Sequence, residues 1–164
     1  MGLLDRIRGK REPEDPGPLP EAVFQPIGRV SNEVKEPIHE GWEEIDSRLI
    51  IKPELAEALD GVEGFSHLLV IFWLDRVPPE KREVRRLHPR DRQDLPLVGI
   101  FATRTQYRPN PIGVSVVRLL RRRGNVLEVR GLDAIDGTPV LDLKPYLPHY
   151  DAVQARLPEW AVRR

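Results

Sequence analysis

The sequence predicts a small all-β fold with one or two short helices, and three observations lead to it. Seven short apolar runs follow one another between Val23 and Leu143, each bounded by Gly, Pro, Asp or Asn. Gly124-Asn125 joins two of these runs with the residues a tight hairpin demands. Only one stretch, Pro53–Leu59, carries a helical pattern. Many short strands with few helices suit a barrel or a sandwich, and a closed barrel removes the unpaired edges that burden so small a sheet.

Val23–Val30 and Ser47–Lys52 read as the first two strands. Pro53–Leu59 follows as a helix, because proline suits a first turn and Leu55, Ala56 and Leu59 make one buried side. His67–Leu74 is nearly all apolar, which predicts a strand buried on both faces that delivers Leu74 and Asp75 to a rim. Leu97–Thr103 reads as a fourth strand. Val114–Arg122 and Val126–Gly131 form the hairpin around Gly124-Asn125, and Val140–Leu143 closes the series. No Gly-x-Gly-x-x-Gly occurs, so a dinucleotide-type Rossmann site has no support.

Composition sets the bounds. At 164 residues and 40% hydrophobic content the chain holds one ordinary core. Residues 21–154 are the expected barrel domain and 155–164 a tail. Residues 1–20 form an expected flexible tail: Pro13, Pro16, Pro18 and Pro20 make a stiff polar linker, and Leu3, Leu4 and Ile7 share one side of a short amphipathic segment before it. No apolar run is long enough for a transmembrane helix. The first residues match neither a secretory signal nor a myristoylation motif, so the expected location is cytoplasmic. Zero cysteines exclude disulfides, thiolate metal sites and cysteine nucleophiles. No second histidine stands at ligand spacing from His67, so no metal is expected.

Net charge is zero but segregated. Residues 12–63 hold fourteen acids against four bases, and residues 76–123 hold thirteen bases, twelve of them arginine, against four acids. Such a basic stretch either attracts phosphate or is a solvated face neutralised by the acidic half.

Three segments could carry chemistry. In Gly99–Gly113, Pro109 and Pro111 stiffen a polar loop and present Arg104, Arg108 and Asn110 with little entropy left to lose on binding. The same residues also suit a rigid structural corner. In Gly131–Pro139, Asp133 and Asp136 stand three apart in a turn; Asp-Gly alone explains the turn, whereas Asp133 is not required by it. Paired carboxylates there could accept bonds from ribose hydroxyls or attract a sulfonium. In Lys144–Asp151, Lys144, Tyr146 and His149 lie in a proline-held strap that either packs on the core or stacks on a base.

Phe24–Gly28, Gly64–Leu68, Gly99–Arg104, Arg108-Pro-Asn-Pro-Ile-Gly113, Leu132-Asp133, Asp136-Gly-Thr-Pro139 and Leu143–Pro148 together resemble the TsaA-like (TrmO-type) family over residues 22–151. The resemblance implies a single-sheeted β-barrel that binds S-adenosyl-L-methionine, forms a homodimer and methylates N6 of threonylcarbamoyladenosine beside the anticodon of tRNA. By position it implies a cofactor site of Leu74, Asp75, Arg104, Val114, Leu132, Asp133, Ala134 and Ile135. Arg108, Asn110, Lys144 and Tyr146 are the expected substrate contacts, and Asp133, Asp136, His149 and Tyr146 the candidate proton acceptors. Val34–Gly41 stands where members carry a Pro-Arg-Gln type cofactor segment, and is acidic instead. Two rival readings are a methyltransferase with a different nucleoside or small-molecule acceptor, and a non-catalytic ligand-binding or adaptor module.

Overall fold

The computed structural model describes residues 13–162. The amphipathic segment around Leu3–Ile7 lies outside the described residues. Eight strands form: β1 (Gly28–Ser31), β2 (Asp46–Ile51), β3 (His67–Trp73), β4 (Arg86–Leu87), β5 (Val98–Gly99), β6 (Ile112–Arg123), β7 (Val126–Arg130) and β8 (Pro139–Pro145). Six of them close an antiparallel barrel in the order β1-β2-β7-β6-β3-β8, with β8 returning to β1. The two-residue strands β4 and β5 pair in a separate small sheet. Short helices α1 (Pro79–Arg82), α2 (Pro148–Asp151) and α3 (Glu159–Val162) lie outside the barrel sheet.

Side chains alternate across a strand, so each strand sends every second residue inward. Leu49 and Ile51, then Leu68, Val70 and Phe72, and Leu127 and Val129 are buried and fill the barrel with Val30, Val117 and Val140. At the hairpin, Gly124 takes φ 60°, and Val126 pairs with Arg123. Gly113 faces Phe72 across the β3–β6 pair, and a Cβ built on it would clash with the Phe72 ring. A glycine is what lets that ring approach the strand so closely.

Three expectations change. Leu97–Thr103 is not a strand: pairing ends at Gly99, and Ile100–Ala102 turns as a 3-10 helix that buries Ile100. β3 is not buried on both faces, because in a small barrel the outer face has no second layer; Leu69 and Ile71 are half-buried and Trp73 is exposed. The helix expected at Pro53–Leu59 forms with those bounds, in 3-10 geometry, with Leu59 buried and Arg122 of β6 donating to the Ala56 carbonyl at 3.0 Å. The first strand begins at Gly28, five residues later than Val23, whose neighbours are exposed.

The connectivity positions the site. The β1–β2, β3–β6 and β7–β8 connections, residues 32–45, 74–111 and 131–138, emerge at the same end of the barrel. Long loops therefore converge above the end of the core where Phe72 and Val140 lie.

Candidate functional site

These three connections enclose a cavity of about 770 Å³, within the size range of small-molecule sites. Phe72 and Thr138 lie at its base. Leu74, Asp75 and Arg76 line it where the chain leaves β3, Ile112, Gly113 and Val114 where it enters β6, and Asp133, Ala134 and Ile135 from the β7–β8 connection. The first connection contributes Glu36, Pro37, Ile38, His39 and Trp42.

Asp133 is presented by alternation. Leu132 and Ala134 on either side are buried in the core, which turns the Asp133 carboxylate outward to the cavity. Ser115, inward-facing on β6, donates its hydroxyl to Asp133 Oδ1 and leaves the other carboxylate oxygen available. Asp75 is exposed on the cavity wall and has no ion-pair partner among the described residues.

Asp136 has a different task. Its Oδ1 accepts the Asn32 backbone N–H at 3.0 Å, and Oδ2 pairs with Lys35 Nζ at 2.8 Å. Those two partners hold its carboxyl below the usual carboxylate range, the Lys35 bond first and the Asn32 N–H second. Asn32 also donates from Nδ2 to the Ala134 carbonyl and to Ser47 Oγ, and Arg76 donates to the carbonyls of Lys35 and Asp136. This buckle ties all three connections together at the cavity's edge.

The Gly99–Gly113 loop is held by its own arginines. Arg104 Nη2 donates to the Val114 carbonyl at 2.6 Å, and Arg108 Nη1 to the Thr103 carbonyl at 2.9 Å. Both side chains still line the cavity, as do Gln106 and Tyr107, and Lys81 of α1 stands 5.4 Å from the Tyr107 ring centroid. The loop is therefore an architectural corner whose arginines also form part of the cavity wall.

The structure thus brings Leu74, Asp75, Arg104, Arg108, Val114, Asp133, Ala134 and Ile135 to one cavity. Leu132 is wholly buried beneath it. Asn110 is not on its wall; its carbonyl accepts the Ile112 N–H. Lys144 pairs with Asp142 on the outside of β8. Tyr146 packs edge-on against His67, at the start of β3 and so at the opposite end of the barrel from Leu74, and His149 stacks on Tyr150 beyond it. Sequence reasoning missed His39, Trp42, Lys81, Tyr107 and Ser115. Trp42, a lone tryptophan in an acidic loop, was the available signal; the others become neighbours only through the barrel's closure.

Residues 31–152 match the family model described as the tRNA-methyltransferase O N-terminal domain. A probable S-adenosyl-L-methionine-binding protein of Methanothermobacter thermautotrophicus is 39% identical over 137 residues, covering 81% of this chain and 96% of its own. Another of Pyrococcus abyssi is 38% identical over 133 residues, 78% of this chain and 70% of its own. The crystal structure of TrmO from Pseudomonas aeruginosa superposes with a TM-score of 0.70 at 33% identity, covering 87% of this chain and 63% of the TrmO chain. The chain therefore spans less than two thirds of that solved protein. A matched domain covering most of the chain, together with the shared single-sheeted barrel, shows that the chain belongs to the tRNA-methyltransferase O N-terminal domain family.

Proposed function

We propose that the chain is an S-adenosyl-L-methionine-dependent methyltransferase that acts on tRNA and methylates N6 of threonylcarbamoyladenosine beside the anticodon. The observation that carries this reading is the cavity in which Asp133 is turned outward between two buried neighbours, in a chain of this family.

The donor set fits the cofactor. A sulfonium with an amino-acid tail and an adenosine needs anionic or carbonyl oxygen, a cation for its carboxylate and apolar walls. Asp133 and Asp75 meet the first need, Arg76, Arg104 and Lys81 the second, and Ile38, Trp42, Leu74 and Ile135 the third. When bound, the cofactor supplies an electrophilic methyl group. The protein's part is to hold two partners in line, and Ser115 and the Asn32 buckle fix the wall that does so. The accepting nitrogen must lose a proton, and Asp75 and Asp133 are the carboxylates placed to orient or accept it. Asp136 is a poor acceptor because Lys35 and Asn32 already occupy its carboxylate.

The tRNA reading is supported by the arginines of the β3–β6 connection. Arg86, Arg104 and Arg108 donate to backbone carbonyls, and no carboxylate among the described residues pairs with them. The same reading places the protein in the cytoplasm. A homodimer is supported by a row on the outer face of β3 and β6, where Trp73 pairs with Ile112, Ile71 with Val114 and Leu69 with Val116. Trp73, Ile112, Val114 and Val116 are exposed there.

Calorimetry with S-adenosyl-L-methionine tests the cofactor, and nucleoside mass spectrometry of tRNA incubated with the chain tests the acceptor. The expected outcome is binding together with a methylated threonylcarbamoyladenosine. Binding with no change in any tRNA nucleoside would move the reading to a different acceptor. Absence of binding would leave a non-catalytic module.

A further inference from the structure

Within Gly99–Gly113, Phe101 has no task in the reading above, yet it is 78% exposed. It is the middle residue of the Ile100–Ala102 turn, whose backbone is hydrogen-bonded on both sides of the ring. Ile100 is buried and donates its N–H to the Arg85 carbonyl at 3.1 Å, while Thr103 returns both its N–H and its Oγ1 to the Ile100 carbonyl. The Arg108 guanidinium carbon stands 5.7 Å from the ring centroid, and Arg108 itself lines the cavity. The ring therefore stands one side chain away from the cavity, on backbone tied down by these bonds.

We propose that Phe101 is a stacking platform for an unpaired base of the RNA whose target nucleotide enters the cavity. The inference rests on the tRNA reading and adds a specific contact to it. Its surroundings favour a nucleotide over a protein partner. Arg108 lies beside the ring, and Arg86 pairs with Gly99 two residues earlier, next to Arg85. A base offers its π-face to the ring and its phosphates to the guanidiniums. An apolar protein surface would have to strip water from these cations without replacing it. The turn's hydrogen-bonded backbone lowers the ordering cost on binding.

Fluorescence anisotropy with a labelled anticodon stem-loop, and with the same strand annealed into a full duplex, tests the platform. Phe101→Ala is expected to weaken binding of the loop RNA about tenfold, Phe101→Trp to restore it, and neither to alter duplex binding or S-adenosyl-L-methionine affinity by calorimetry. Unchanged loop affinity in Phe101→Ala, or a loss shared equally by loop and duplex, overturns the platform. A change in sedimenting mass without loss of RNA affinity assigns the ring to a protein contact, and also overturns it. A wild-type chain that binds no loop RNA overturns the tRNA reading itself, and the platform with it.

Discussion

Asp133 and Asp136, three residues apart, show how little a side chain's identity says about its work. Both sit in the β7–β8 connection; one faces a cavity, and the other is consumed by a lysine and a backbone N–H. Asp133→Asn, nearly isosteric, should keep the fold and weaken S-adenosyl-L-methionine binding at least tenfold, measured by calorimetry, because it removes the anionic charge from the cavity wall. Asp136→Ala should leave the cavity chemistry in place but loosen the buckle, at a cost of about 1 kcal/mol in urea unfolding. The pH dependence follows from the lowered proton affinity of Asp136. Its folded-state pKa lies below the ordinary 3.8, so its stabilisation is complete above that value and is lost as pH falls through the folded pKa. Asp136→Asn should therefore flatten the acid limb of a stability-against-pH profile below about pH 4, and an unchanged limb would show that the pair contributes nothing.

At the level of elements, the β3–β6 pair does most to place the site. Its register sets Phe72 opposite Gly113, and the strand ends just beyond deliver Leu74 and Ile112 to the same cavity. Gly113→Val should cost about 1–3 kcal/mol or more in thermal or chemical unfolding, because the added side chain has to displace a buried ring. The hairpin was readable in advance because Gly124-Asn125 is a local signal, and β2, β3, β7 and β8 were readable because apolar runs bounded by breakers need no partner to be recognised. Leu97–Thr103 misled for the same reason: its composition is that of a strand, but pairing with β4 lasts two residues before Ile100 turns into the core. The two-faced burial expected for β3 failed because hydrophobicity alone does not tell a second packed layer from an outer face that is left uncovered.

On the scale of the whole molecule, charge segregation is partly cancelled by folding. Arg122 reaches Asp60 and Glu63, Arg130 forks onto Asp46, and Lys35 meets Asp136, each pairing a base with an acid from a different part of the chain. Among the described residues, Arg86, Arg104 and Arg108 of the β3–β6 connection bond carbonyls and form no ion pair, so their charge is not cancelled in this way. If the proposed homodimer forms on the outer row of β3 and β6, Val116→Glu is expected to halve the mass seen by light scattering while leaving the barrel's circular dichroism intact; an unchanged mass would move the interface elsewhere. From sequence alone, the all-β class and the glycine-asparagine hairpin were determined, and the segments around Arg104 and Asp133 were singled out, because each depends on neighbours within a few residues. Barrel closure decided the rest. It brought Trp42, Asp75, Arg104 and Asp133 to one cavity, gave Asn32 its place tying three connections, and carried Tyr146 and His149 to the far end, since proximity across a closed sheet is set by strand order and register, not by distance along the chain.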